Sequence, residues 1–183
     1  MPDEDFEWTP PPALQIAALG DDMAKVRELL AQGVDVNETD FVGKTALMVA
    51  CKEHRHEIAL LLLEKGADYT MTTNEMGLSA FHWACGNAHE DYRVVLDIIR
   101  RGVDINKPCS RGFTPLMKAV MGGDVPTAKL LVKYGADKTA EVPNPTFNEV
   151  LTCQNLALRI QHDKRERMAK VVALDAPAAG ASA

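Results

Sequence analysis

Aromatic residues are scarce in this chain: ten of its 183 residues are Phe, Trp or Tyr. A single deep core ordinarily leans on ring bulk, so the shortage points to a thin, aliphatic, repeated core. Long apolar runs are missing as well. The longest near the middle, Ile58 to Leu63, has six residues, where a membrane-spanning helix needs roughly 20. There is no cationic excess. Twenty Lys+Arg against 26 Asp+Glu leave a formal charge of −6, which argues against general polyanion binding. Cysteine is limited to four residues and no charged-then-apolar leader opens the chain. A reducing compartment, cytoplasmic or nuclear and not secreted, is therefore expected. The remaining proportions, 46% apolar and 25% charged, exclude collagen-like or wholly disordered sequence.

What the chain does contain is a repeat. Gly-x-Asp recurs as Gly33-Val34-Asp35, Gly66-Ala67-Asp68, Gly102-Val103-Asp104 and Gly135-Ala136-Asp137, with glycine spacings of 33, 36 and 33. Each is preceded at a fixed distance by an aliphatic pair: Leu29-Leu30, Leu62-Leu63, Ile98-Ile99 and Leu131-Val132. A second series lies between them, Gly43-Lys44-Thr45-Ala46-Leu47, Gly77-Leu78-Ser79-Ala80-Phe81 and Gly112-Phe113-Thr114-Pro115-Leu116. Thr45, Ser79 and Thr114 are suited to capping a helix start, and Pro115 to a first helical position. Asp22 and Asp124 are read as caps of second helices. The Gly-x-Asp glycines suit a left-handed helix end, and Gly43, Gly77 and Gly112 a tight turn. Each unit therefore reads as helix, turn, helix and a hairpin-like tip.

This register resembles the ankyrin repeat, a unit of about 33 residues with a T-P-L-H-x-A signature. Thr114-Pro115-Leu116-Met117-Lys118-Ala119 carries its first half and Ser79-Ala80-Phe81-His82-Trp83-Ala84 its histidine. Thr45-Ala46-Leu47-Met48-Val49-Ala50 keeps the spacing, and Ala13-Leu14-Gln15-Ile16-Ala17-Ala18 reads as a degenerate first copy. The expected fold is an all-α solenoid with repeats at about 13–39, 40–73, 74–108 and 109–140. A flexible acidic, Pro-rich segment (1–12) precedes them. A Pro-containing loop and degenerate capping repeat (141–174) and a flexible tail (175–183) follow. The third copy carries two extra residues, placed between its helices around Gly86 to Asp91. Pro143-Asn144-Pro145 bars regular helix, and Asp163 is read as the cap of the last helix.

Cys51, Cys85, Cys109 and Cys153 with His54, His56, His82 and His89 lack compact metal-ligand spacing. Cys51 and Cys85 fall at matching small core places, so no metal and no cofactor are expected. His82 stands in the signature, where the resemblance implies a structural hydrogen-bonder between neighbouring turns. Gly20-Asp21-Asp22 and Gly122-Gly123-Asp124 fit neither a phosphate cradle nor a carboxylate site. No residue set supports acid–base or covalent chemistry, so no enzyme and no small-molecule substrate are expected. The length leaves no obvious room for a catalytic domain beside the repeats.

The resemblance implies a non-catalytic protein–protein interaction module, an adaptor, scaffold or inhibitory subunit, acting as a monomer or within a hetero-complex. Its concave surface is built from turn tips and the inner face of the first helices. By register those positions are Phe41, Val42 and Lys44; Glu75, Met76 and Leu78; and Ser110, Arg111 and Phe113 on the tips. Lys52, Glu53, Asn87 and Met121 stand on the helices. Apolar tip residues are informative because tips are expected to be wet. Two peripheral features stand beside this stripe. Asp3-Glu4-Asp5-Phe6-Glu7-Trp8 is a docking peptide or an edge-covering tail. The basic stretch Arg159 to Lys170 offers the alternative function, contact with nucleic acid or an anionic membrane.

Overall fold

The computed structural model describes residues 10–86, 91–144, 149–157 and 162–173. The expectations placed on Asp3 to Trp8, on the tail at 175–183 and on Asn87 and His89 lie outside these residues.

Among the described residues five helix pairs follow one another: α1 (Ala13–Leu19) with α2 (Met23–Ala31), α3 (Ala46–Lys52) with α4 (His56–Glu64), and α5 (Ala80–Cys85) with α6 (Arg93–Arg100). Then come α7 (Pro115–Gly122) with α8 (Val125–Lys133), and α9 (Cys153–Ala157) with α10 (His162–Val172). The helices start where the side chains allow them to start. Thr45 and Thr114 accept at 3.3 Å from the Met48 and Met117 amides, and Ser79 accepts at 3.4 Å from that of His82. Asp22 and Asp124 accept from Lys25 and Thr127 at 2.9 and 3.0 Å. Between paired helices the chain turns through a left-handed residue at one register position, Asp21, His54 and Gly123. The second helices close on a glycine. The Gly66 amide donates to the Leu63 carbonyl and the Ala67 amide to that of Leu62, while Gly66 takes φ +88. This six-to-one closure satisfies the helix's last carbonyls.

The first helices stack in order, α1 on α3, α3 on α5, α5 on α7 and α7 on α9, and α10 lies on α8. One apolar core runs the length of the stack through Leu14, Leu47, Leu62, Phe81, Ile98, Leu116, Leu131 and Met168. Phe81 is the only aromatic among the largest fully buried side chains of the described residues. The scarcity of rings follows from the geometry, because small and aliphatic side chains let helices one repeat apart approach closely.

Three expectations need correction. The first copy starts one residue earlier than the sequence reading placed it: Pro12 is the N-cap of α1, which puts Gln15 in the register of Met48, His82 and Met117. Second, the connection after the fourth pair is not plain loop. Glu141–Asn144 (β1) pairs antiparallel with Glu149–Thr152 (β2), Val142 opposite Leu151, so the helical stack carries one two-stranded element. Third, α10 begins at His162, and Asp163 lies inside it and not at its cap. The third pair runs 21 residues from Ala80 to Arg100 against 19 from Ala46 to Glu64 in the second, a difference equal to the two extra residues expected there.

Candidate functional site

The tips are fixed before they can be functional. In the second repeat the Asp40 amide donates to the Lys44 carbonyl, and the Asp40 carboxylate accepts from the Val42 and Lys44 amides at 3.1 and 2.8 Å. Successive tips are then joined. The Asn74 amide donates to the Val42 carbonyl and the Ser110 amide to that of Met76, both at 3.0 Å. The approach is close enough that a Cβ on Gly43 would fall 2.5 Å from the Asn74 Oδ1. Gly112 meets Val142 of β1 in the same way, so the strand pair extends the series of tips.

This ladder sorts the tip residues by register. Two places before the glycine, Phe41, Glu75 and Ser110 are all exposed, Phe41 at 63%. One place before it, Val42 and Met76 are half-buried and Arg111 is exposed. One place after it the chain turns inward: Lys44 and Phe113 are half-buried and Leu78 is buried at 5%. The expected exposure of Leu78 is therefore wrong, and Phe113 packs partly against the core. The residue after the glycine leads directly into the helix cap, so its side chain is drawn under the helix.

The inner helix face adds residues that the sequence reading passed over. Lys52 and Met121 share a position with Leu19 and Gly86, seven places after the N-cap. Three places before it, on the same side of each helix, stand Ile16, Val49, Trp83 and Lys118. Ile16 and Leu19 are each 53% exposed and Met121 48%. The Lys118 ammonium sits 5.7 Å from the centre of the Trp83 ring, and Gly86 leaves the room its stem needs. Ile16, Leu19, Val49, Lys44, Lys52 and Glu53 line a groove of about 210 Å3 between α1 and α3. Within it the Lys52 ammonium, 2.8 Å from Glu53, holds that carboxyl below the usual range. A step of three places back from Lys52 and Met121 along each helix is the sequence signal that leads to Ile16, Val49, Trp83 and Lys118.

His82 and Ser79 are the one contact here that invites a chemical reading, with Nδ1 2.9 Å from the serine Oγ. The Ser79 amide donates to Nδ1 at 3.3 Å, which makes that nitrogen the acceptor. Nε2 therefore carries the proton and donates to the Lys107 carbonyl at 3.0 Å. Burial pushes the imidazole down to about 4, because the cation would lose its hydration. Ser79 and His82 form a capping box, so Nδ1 is occupied within its own helix cap and Nε2 ties that cap to the segment leading into the fourth repeat. Gln15 does the same work in the first repeat, its Nε2 donating to the Lys44 carbonyl at 2.6 Å. The cysteines are buried and unpaired with one another. Burial raises Cys51 to about 12 and Cys153 to about 11.

Tandem helix pairs, glycine-closed ends and bridged tips define a helical-repeat solenoid. The family model described as ankyrin repeats (3 copies) matches residues 3–73 and 69–142, and the chain belongs to that family. It is similar to the ankyrin repeat protein FPV031 of Fowlpox virus (strain NVSL), 37% identical over 137 residues, 73% of this chain and 39% of that protein. It is also similar to the ankyrin repeat, SAM and basic leucine zipper domain-containing protein 1 of Dasypus novemcinctus, 29% identical over 119 residues, 63% of this chain and 25% of that one. A protein of Danio rerio named as the palmitoyltransferase ZDHHC13 matches at 27% over 147 residues, 80% of this chain and 21% of that one. The chain spans well under half the length of these relatives. Ankyrin repeats are generally protein–protein interaction modules. No helix among the described residues is long and apolar enough to cross a membrane.

Proposed function

We propose that this chain is a non-catalytic recognition module, an adaptor, scaffold or inhibitory subunit, that binds a partner protein with its inner helix face and tips. The observation that carries the reading is the row of exposed apolar side chains Ile16, Leu19 and Met121, in repeat register with Lys52 and the Trp83–Lys118 pair, together with the exposed Phe41 on the tip of the second repeat. Large exposed hydrophobics aligned along one face are what a partner's side chains bury. Glu53, Glu75, Ser110 and Arg111 supply a polar rim, and Val42, Lys44, Met76 and Phe113 its half-buried floor. The backbone ladder between tips keeps this surface rigid, so binding costs little ordering entropy. The last helix pair is the cap that ends the stack, and four unpaired cysteines suit a reducing compartment.

Affinity capture from the source cells tests the reading, with wild type compared against a Phe41→Ser/Met121→Glu variant. A partner retained by the wild type and depleted about tenfold or more in the variant supports it, provided both proteins melt alike. Equal retention of every captured protein overturns it.

A further inference from the structure

A second surface lies away from the inner face, between the second helices α8 and α10. The two helices bound an open groove of about 500 Å3. Lys129, Lys138, Arg167 and Lys170 stand around it over Val132 and Val171, and among the described residues no carboxylate lines it. Lys170 is paired with Glu166 at 2.8 Å, and Lys138 donates to the Ala173 carbonyl at 2.8 Å. Among the described residues no ion pair engages Lys129 or Arg167. Both are exposed. Four cations gathered in one groove run against the charge of a chain that is −6 overall.

We propose that this groove docks an acidic segment of a partner protein, with carboxylates meeting Lys129 and Arg167 and an apolar side chain resting on Val132 and Val171. Charge complementarity selects the occupant, because acidic residues alone gain from this rim and an apolar neighbour alone gains from the floor. The same features disfavour a polyanion. Nucleic acid binding draws its affinity from many phosphate contacts, which four cations in one groove do not provide. The surface does not share a residue with the inner face, so it stands or falls independently of the recognition proposed above.

Fluorescence polarisation with the labelled peptide Glu-Glu-Leu-Glu-Glu-Phe-Glu-Glu tests this. Saturable binding that weakens with added salt is expected, lost in an analogue with Gln at every Glu. Lys129→Glu with Arg167→Glu should lower affinity by more than about tenfold, since two exposed attractions become repulsions. The double Gln variant should fall between. A charge-matched control, Lys65→Glu with Arg100→Glu, lies outside the groove and should bind within about twofold of wild type. Helical content and melting of each variant establish that the fold is kept. The proposal is overturned by absent saturation, by equal binding of the Gln analogue, or by a groove variant that binds like the control. Tighter binding of oligo-dT or of phosphatidylserine vesicles through the same two residues also overturns it.

Discussion

The Nε2 of His82 donates to the carbonyl oxygen of Lys107 at 3.0 Å, so one buried ring joins its own helix cap to the backbone that leads into the next repeat. The ring is held neutral, at about 4, foremost by burial. The sign of the resulting pH dependence follows. An unfolded histidine protonates near 6.5, so between about 6.5 and 4 the unfolded chain binds the extra proton and stability rises with pH. The contribution is complete above about pH 6.5 and is lost as pH falls toward 4, by on the order of 3 kcal/mol for this group. Urea unfolding followed from about pH 7.5 to pH 4.5 should show this slope, and His82→Gln should flatten it while lowering stability at neutral pH by about 1–3 kcal/mol. An unchanged slope in that variant would assign the pH dependence to other groups.

A contrast between two glycines isolates the contact between tips. Gly33 has φ +82 and open space where a Cβ would sit, whereas Gly77 has φ +59 and a Cβ there would collide with the Ser110 side chain and lie 2.9 Å from its amide nitrogen. Gly33→Ala should cost about 1–2 kcal/mol, the backbone penalty alone. Gly77→Ala should cost at least about 1 kcal/mol more, because tips three and four must separate. Equal losses in chemical denaturation would show that the tips yield without resistance.

Repetition explains how much was legible in the sequence. The caps at Thr45, Ser79, Thr114, Asp22 and Asp124 and the glycine-closed ends depend on neighbours a few residues away and recur in several copies, so each copy corroborates the others. The depth of tip residues is a different matter. Leu78 and Phe41 look alike as apolar tip residues, yet one is buried and the other exposed, because they stand on opposite sides of the tip glycine and only the residue after it is drawn under the helix. The strand pair depends likewise on contact beyond its own residues: Val142 packs where Gly112 leaves room. Ile16 and Trp83 stand within the signature, whose pattern reads as core, although one of its six positions faces outward.

The buried thiols make a chemical prediction. Cys51 and Cys85 occupy one register position in α3 and α5 and are almost wholly inaccessible. Burial lifts Cys51 to about 12 and raises Cys85 well above the ordinary thiol value, and the thiolate is the reactive form. At about pH 8 an aromatic disulfide reagent should modify both only as fast as the repeats open, with the rate rising steeply across the urea transition. Immediate modification of Cys51 or Cys85 in the native protein, located by mass spectrometry, would contradict the packing described.

The tip register separates recognition from stability at two residues of similar apolar character. Phe41 is largely exposed and Leu78 is not. Phe41→Ser removes a ring that solvent already reaches, so its unfolding free energy should stay within about 0.5 kcal/mol of wild type. Leu78→Ser places a hydroxyl in the layer beneath the tip and leaves a void, so a loss of about 2–5 kcal/mol is expected. Partner capture should fall for Phe41→Ser at unchanged stability. For Leu78→Ser it should fall only as the folded fraction falls, and it should recover when a stabilising osmolyte refolds the variant. Denaturation curves and capture measured on the same preparations distinguish these outcomes. A Phe41→Ser protein that binds normally would remove that ring from the recognition surface, and a stable Leu78→Ser protein that fails to bind would bring Leu78 back into it.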